Sequence, residues 1–250
     1  MERAAVLGRL TWRTAEVSKL IEENPTTKTI ALSCPEWPGH LPGQHVDVRL
    51  TASDGYQAQR SYSIANPEDG ELVAITVEEI ESGEVSPYLT HELAIRDQLE
   101  IRGPIGGYFV WTPDRGGPLQ LVAGGSGLVP LMAMVRAKAH SGSDVPVRLL
   151  TSARSWEAMI YRDELTCLAS DVKNFQVSQT LTRAQPPGWS GYSRRVDRRM
   201  LEETTWPAAD KPQVFVCGPT GFVEAVAQSL VEMGHEPQKV KTERFGPSGG

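Results

Sequence analysis

The sequence predicts a β + α/β protein: a six-stranded antiparallel barrel over residues 1–112, then a five-stranded parallel sheet with helices over residues 113–250. Three observations carry this reading. Short β-rich runs broken by turn residues fill Leu10 to about Val110, and close spacing of such runs points to a small antiparallel barrel. The stretch Thr112-Pro113-Asp114-Arg115-Gly116-Gly117-Pro118 is the best linker in the chain. After it strands and helices alternate, which is the pattern of a parallel sheet covered on both faces.

In the first half, strands are expected at Thr11 to Ile21, Thr27 to Ser33, His45 to Leu50, Gln59 to Ala65, Leu72 to Glu78 and Gln98 to Ile101. Asn24-Pro25, Pro35 to Gly43, Ser53-Asp54-Gly55, Asn66 to Gly70 and Gly103-Pro104 separate them, because these residues favour turns and interrupt ladders. One helix is expected from about Pro87 to Leu93, with Ser86 placed to cap it and Pro87 suited to its first position. In the second half, strands are expected at Leu119 to Ala123, Val147 to Thr151, Phe175 to Thr182, Gln213 to Cys217 and Val240 to Thr242. Helices are expected at Val129 to Ala139, Met159 to Ala169, Val196 to Glu203 and Thr220 to Met233. The tail Gly246-Pro247-Ser248-Gly249-Gly250 reads as loose.

A net charge of −6 argues against a general nucleic-acid binder, since no overall positive field would collect phosphate backbone. No apolar run approaches the length of a membrane span, and Met1-Glu2-Arg3-Ala4-Ala5 lacks the apolar core of a secretory leader, so a cytoplasmic protein is expected. Cys34, Cys167 and Cys217 lie far apart and suit neither a four-thiolate cluster nor a disulfide framework. The five histidines show no ligand spacing, and no metal is expected.

The chemistry concentrates in four places. Arg60-Ser61-Tyr62-Ser63 puts a fixed cation, a phenol and hydroxyls on one strand, a set that suits a flat anionic ligand through phosphate pairing, ring stacking and hydroxyl donation. By itself the run also reads as a half-buried strand with surface Arg and Ser. Gly83-Glu84-Val85-Ser86 precedes the expected helix, where backbone amides favour an anion, and Ser86 as a plain helix cap explains the same residues. Gly124-Gly125-Ser126-Gly127-Leu128-Val129-Pro130 is a strand, a glycine turn and a helix start, without the Gly-x-Gly-x-x-Gly fingerprint. Cys217-Gly218-Pro219 ends another apolar strand, where an unpaired Cys is ordinarily a small buried residue.

In that order these motifs resemble the ferredoxin-NADP reductase superfamily of flavoenzymes over nearly the whole chain. The resemblance implies an FAD-binding barrel, with FMN in a minority of similar proteins, and a nucleotide-binding unit that takes NADP, NAD being the alternative. It assigns the cofactor contacts to Arg60, Ser61, Tyr62, Ser63, Val77, Gly83, Val85 and Ser86 on the flavin side. On the nucleotide side it assigns them to Gly125, Ser126, Gly127, Pro130, Thr182, Arg183, Arg194, Cys217, Gly218 and Pro219, with Phe245 covering the flavin ring. Ser63, Cys217 and Glu243 are the implied catalytic residues. Thr182-Arg183 and Gly191-Tyr192-Ser193-Arg194-Arg195 are the implied seat of a 2′-phosphate, and no carboxylate lies between Thr180 and Val196. The activity implied is an NAD(P)H-dependent flavoprotein reductase that passes electrons to a separate redox protein, the fused iron-sulfur domain of some relatives being expected to be missing. Two alternatives stand beside it: a non-catalytic flavin-holding relay subunit, and a free flavin reductase.

Overall fold

The structure, a computed structural model, describes residues 10–245. Met1 to Ala5 and the tail from Gly246 to Gly250 lie outside the described residues. Six strands form the first sheet: β1 (Trp12–Asn24), β2 (Thr27–Ser33), β3 (His45–Thr51), β4 (Gln57–Ser63), β5 (Leu72–Glu78) and β6 (Gln98–Ile105). Their order is β4-β3-β6-β1-β2-β5 with antiparallel pairing throughout. An antiparallel bridge between Ile64 and Ile75 brings the two edge strands together and closes the barrel. Val17, Ile30, Leu32, Val46, Val48, Ile75 and Ile101 fill its interior.

The second sheet is parallel, ordered β11-β10-β7-β8-β9. Its strands are β7 (Leu119–Gly124), β8 (Val147–Ala153), β9 (Phe175–Leu181), β10 (Gln213–Pro219) and β11 (Val240–Phe245). Every residue of central β7 is buried, as a strand covered on both faces requires. Helices α1 (Leu128–Ser141) and α2 (Arg162–Asp171) pack on one face, and α3 (Arg198–Thr204) and α4 (Thr220–Glu232) on the other. The order reverses between β7 and β10, so the crevice outside their carboxyl ends is the place where this architecture binds ligands.

Pairing lengthens several strands beyond their sequence signal: β1 continues to Asn24, β6 to Ile105 and β11 to Phe245. The helix expected from about Pro87 to Leu93 forms as a short helical segment whose π-helical part is Tyr88–Glu92. Ser86 does not cap it, because its Oγ accepts the Ile80 amide (3.0 Å) and closes the preceding loop. Likewise α2 starts at Arg162 rather than Met159, because buried Tyr161 sits in the left-handed region (φ 55°), which no helix interior accommodates.

Candidate active site

β4 carries the Arg60 to Ser63 run, paired with β3 so that Val48 faces Arg60, Asp47 faces Ser61, Val46 faces Tyr62 and His45 faces Ser63. The Arg60 guanidinium is half exposed and reaches Glu84 at 3.3 Å, which brings the cation to the Gly83 to Ser86 loop. In that loop the Gly83 amide donates to the Ile80 carbonyl (2.7 Å) and the first helical bond runs from the Leu89 amide to the Val85 carbonyl, so the amides of Glu84, Val85 and Ser86 between them have no helical acceptor. Tyr62 is half buried against the barrel core, and burial pushes its phenol up to about 12. Ser63 is 5% exposed, and its Oγ is buried with no hydrogen-bond partner.

Three of the expected flavin-side residues have their side chains engaged within the barrel. Ser61 donates its hydroxyl to Asp47 (2.6 Å), which Arg102 also holds (2.7 and 3.2 Å), so that hydroxyl is committed within the barrel. Val77 and Val85 are fully buried in the barrel core, because their side chains point inward with the other apolar groups.

On the other side, Gly125 to Gly127 form a tight 3-10 turn that runs straight into α1. A Cβ on Gly127 would lie 2.2 Å from the Cys217 carbonyl oxygen, so glycine is what lets the turn sit on the end of β10. Pro130 is buried in the first turn of α1, where its missing N–H has no partner to lose. Ser126 is half buried at the turn. Cys217 lies in the buried part of β10, which runs through Gly218 to exposed Pro219. Glu243 stands opposite Cys217 in the β10–β11 register, and Phe245 opposite Pro219. Burial, then the neighbouring Glu243, pushes the Cys217 thiol well up. Burial alone raises the Glu243 carboxyl to about 7, and its Oε2 is a second buried polar atom without a partner.

The basic run reads differently in three dimensions. Thr182 turns back on β8, its amide and Oγ1 both donating to the Ala153 carbonyl (3.0 and 3.2 Å). Arg183 is exposed beside it. Arg194 forms an ion pair with Asp197 at 2.7 Å, and the Tyr192 hydroxyl donates to Glu203 at 2.8 Å. The stretch to Val196 contains no carboxylate, but the residue after it supplies one. Asp197 was detectable as the N-cap of α3, where its side chain accepts the Met200 amide. His45, which shares a sheet face with Ser63 through the register, gave no local signal.

Two family models match, and between them they cover most of the chain: an oxidoreductase FAD-binding domain over residues 14–110 and an oxidoreductase NAD-binding domain over residues 121–228. The chain belongs to the ferredoxin-NADP reductase family. It is 32% identical over 209 residues to the glycine betaine monooxygenase reductase subunit of Pseudomonas aeruginosa, covering 83% of this chain and 56% of that protein. It is 30% identical over 209 residues to the toluate 1,2-dioxygenase electron transfer component of Pseudomonas putida, covering 83% and 59% respectively. The chain therefore spans rather more than half the length of these relatives. The FAD/NAD-binding domain of a nitric oxide dioxygenase from Vibrio cholerae superposes with a TM-score of 0.84 at 22% identity, covering 94% of this chain and 99% of that one. The two halves of the chain are thus an oxidoreductase FAD-binding domain and an oxidoreductase NAD-binding domain.

The residues present fit a flavin. A buried hydroxyl with no partner, at the end of a strand whose cation is tied to an amide-rich loop, is a vacancy in hydrogen bonding that a polar ring atom would fill. No helix among the described residues is long and apolar enough to cross a membrane, and no group of three or more metal-ligating side chains occurs among them.

Proposed function

We propose that this chain takes a hydride from NAD(P)H onto bound FAD and passes the electrons to a redox protein of an oxygenase or ferredoxin system. The observation that carries this reading is the Ser63 hydroxyl, buried without a partner at the barrel end. Flavin supplies chemistry that no side chain can: it takes two electrons with a hydride and releases them one at a time. Arg60 and the amides before the Tyr88–Glu92 turn would hold its phosphates, Tyr62 would flank its ring, and Ser63 would donate to a ring atom. The Gly125 to Gly127 turn and Cys217 would receive the dinucleotide, with apolar surroundings that exclude water. The glycine betaine and toluate relatives are named as the reductase subunit and electron transfer component of a monooxygenase and a dioxygenase, which supports an oxygenase-side acceptor.

In the same reading, the barrel unit ends and the nucleotide unit begins at residues 112–113. Three free cysteines favour the cytoplasm, where thiols stay reduced. NADPH is the preferred donor. Arg194 is already matched by Asp197, so exposed Arg183, which joins no ion pair among the described residues, is the group for a 2′-phosphate.

The test begins with the visible spectrum of the purified protein, followed by anaerobic addition of NADPH or NADH. A yellow protein bleached by either nucleotide supports the reading, and a colourless protein that takes up no flavin overturns it. Comparison of kcat/KM for the two nucleotides, with and without Arg183→Ala, decides the donor: an advantage for NADH that survives the substitution reverses the NADPH assignment.

A further inference from the structure

The two halves of the molecule meet through a polar joint unlike the rest of their contact. In the apolar part, Ala65, Ala74, Phe109 and Trp111 of the barrel unit enter the core built mainly from β7, α1 and α2. Beside them lies Arg136, on the helix that follows the Gly125 to Gly127 turn. Its guanidinium donates to both carboxylate oxygens of Glu164 on α2 (2.8 and 2.5 Å) and, through Nη1, to the Ala65 carbonyl (2.6 Å). It also stacks over the Tyr161 ring, 4.5 Å from the centroid.

Tyr161 completes the joint from its left-handed backbone position. Its hydroxyl bonds to Thr76 on β5, Thr76 bonds to Thr29 on β2 (2.7 Å), and Thr29 donates to Glu23 Oε1 (2.7 Å). The other oxygen of Glu23 accepts the Tyr161 amide (3.3 Å), so the bonds form a closed ring across the two halves. Each hydroxyl has one proton, and Thr29 spends its own on Glu23. Thr76 must then donate to Thr29, and Tyr161 to Thr76. Every member of the ring has a single assignment, which specifies one relative placement of barrel and sheet.

Ala65 is where this joint touches the candidate site. It lies two residues beyond Ser63, its amide donates to the Ala74 carbonyl (2.7 Å), and its own carbonyl is the one Arg136 grips. A single side chain therefore connects the helix behind the nucleotide turn to the strand end that carries the partnerless hydroxyl. We propose that Arg136, supported by Tyr161, is a positioning residue that holds the Gly125 to Gly127 turn at a set distance from the Ser63 end of the barrel. This rests on the hydride-transfer reading above, in which that distance governs how closely the two rings approach.

The experiment compares wild type, Arg136→Met, Arg136→Lys and Tyr161→Phe as full chains. Rapid mixing with NADPH without oxygen gives the limiting bleaching rate, and hydrogen exchange reports the amides of residues 64–66, β5 and the start of α1. Arg136→Met is expected to retain flavin, to need a similar NADPH concentration for half-saturation, and to bleach at least about tenfold more slowly, since a displacement near 1 Å suffices for such a loss. Exchange should accelerate at the joint and stay unchanged in β9. Lys can still reach the Ala65 carbonyl with one donor, so Arg136→Lys should recover part of the rate. Tyr161→Phe, which loses only the Thr76 bond, should move both readouts in the same direction and carries the test if Arg136→Met does not fold. A bleaching rate within about twofold of wild type in both Arg136→Met and Tyr161→Phe, against that expected loss, overturns the proposal. So does Arg136→Lys behaving no better than Arg136→Met, as does unaltered exchange. A wild-type protein that binds no flavin would instead defeat the hydride-transfer reading, and the exchange comparison would still decide whether Arg136 clamps the joint.

Discussion

The barrel end and the sheet end of the candidate site are built from different materials. At the barrel end the groups offered are side chains: the Arg60 guanidinium, the Tyr62 phenol and the Ser63 hydroxyl, carried on one strand at the molecular surface. At the sheet end they are mostly backbone, a glycine turn pressed onto the carboxyl end of β10, with two titratable side chains, buried Cys217 and half-buried Glu243, paired across adjacent strands. The barrel end should therefore tolerate changes of shape and respond to changes of charge. The sheet end should do the reverse, because backbone approach leaves no room, while burial keeps the Cys217 thiol protonated and raises the Glu243 carboxyl to about 7.

The sharpest way to break this contrast is Gly127→Ala. The new methyl would overlap a main-chain carbonyl that cannot move aside, so we expect a loss of about 3 kcal/mol in stability, read by urea unfolding, and abolition of nucleotide-dependent bleaching with flavin still bound. Wild-type stability in this variant would show that the close approach is not real. Arg60→Ala addresses the charged end. Removing a charge-assisted phosphate contact should weaken flavin binding by about 1.5–3 kcal/mol, measured by fluorescence titration, with little effect on unfolding because its pairing with Glu84 is exposed.

Glu243 sharpens the comparison through pH. Its folded-state pKa is raised to about 7 from 4.5 by burial, so the folded protein holds this proton more tightly than the unfolded chain. The stability it contributes is complete below the unfolded value and is lost as pH rises through about 7. Glu243→Gln should flatten the decline in unfolding free energy between roughly pH 5 and 8, by on the order of 1–3 kcal/mol, and an unchanged slope would show the carboxylate to be solvated. The smallest effect is expected from Ser63→Ala. Removing a buried hydroxyl with no partner should leave the flavin-free protein as stable or more stable by about 1 kcal/mol, while slowing bleaching of the flavin-bound form. A clear loss of stability without flavin would mean that the hydroxyl already has a partner.

Much of the fold was legible because its signals are local. Thr27–Ser33 and Leu72–Glu78 have the bounds expected of them, since turn residues flank each run and an apolar set faces the barrel. The helix near Pro87 was legible because Ser86-Pro87 has the chemistry of a helix start, but the capping role of Ser86 was not borne out, since its hydroxyl is drawn into a bond with Ile80 that only the folded loop offers. Arg60, Ser63 and Cys217 were legible as candidates from their motifs. The commitment of Ser61 to Asp47 was not, because Asp47 and Arg102 come from strands 14 and 41 residues away from it, β3 and β6, whose partnership sequence spacing does not reveal.

By itself the sequence determined the family, the order of barrel and parallel sheet, and the residue types at each motif, since propensity, turn chemistry and hydrophobic period act over a few neighbouring residues. Tertiary structure alone decided which of those side chains are free to meet a ligand. Register set Glu243 opposite Cys217, packing turned Val77 and Val85 into the core, and ion pairing matched Arg194 with Asp197. It also joined Arg136 to the Ala65 carbonyl, a contact spanning 71 residues that no local rule contains. Burial and pairing are sums over neighbours from the whole chain, and they come into being only when the chain has closed upon itself.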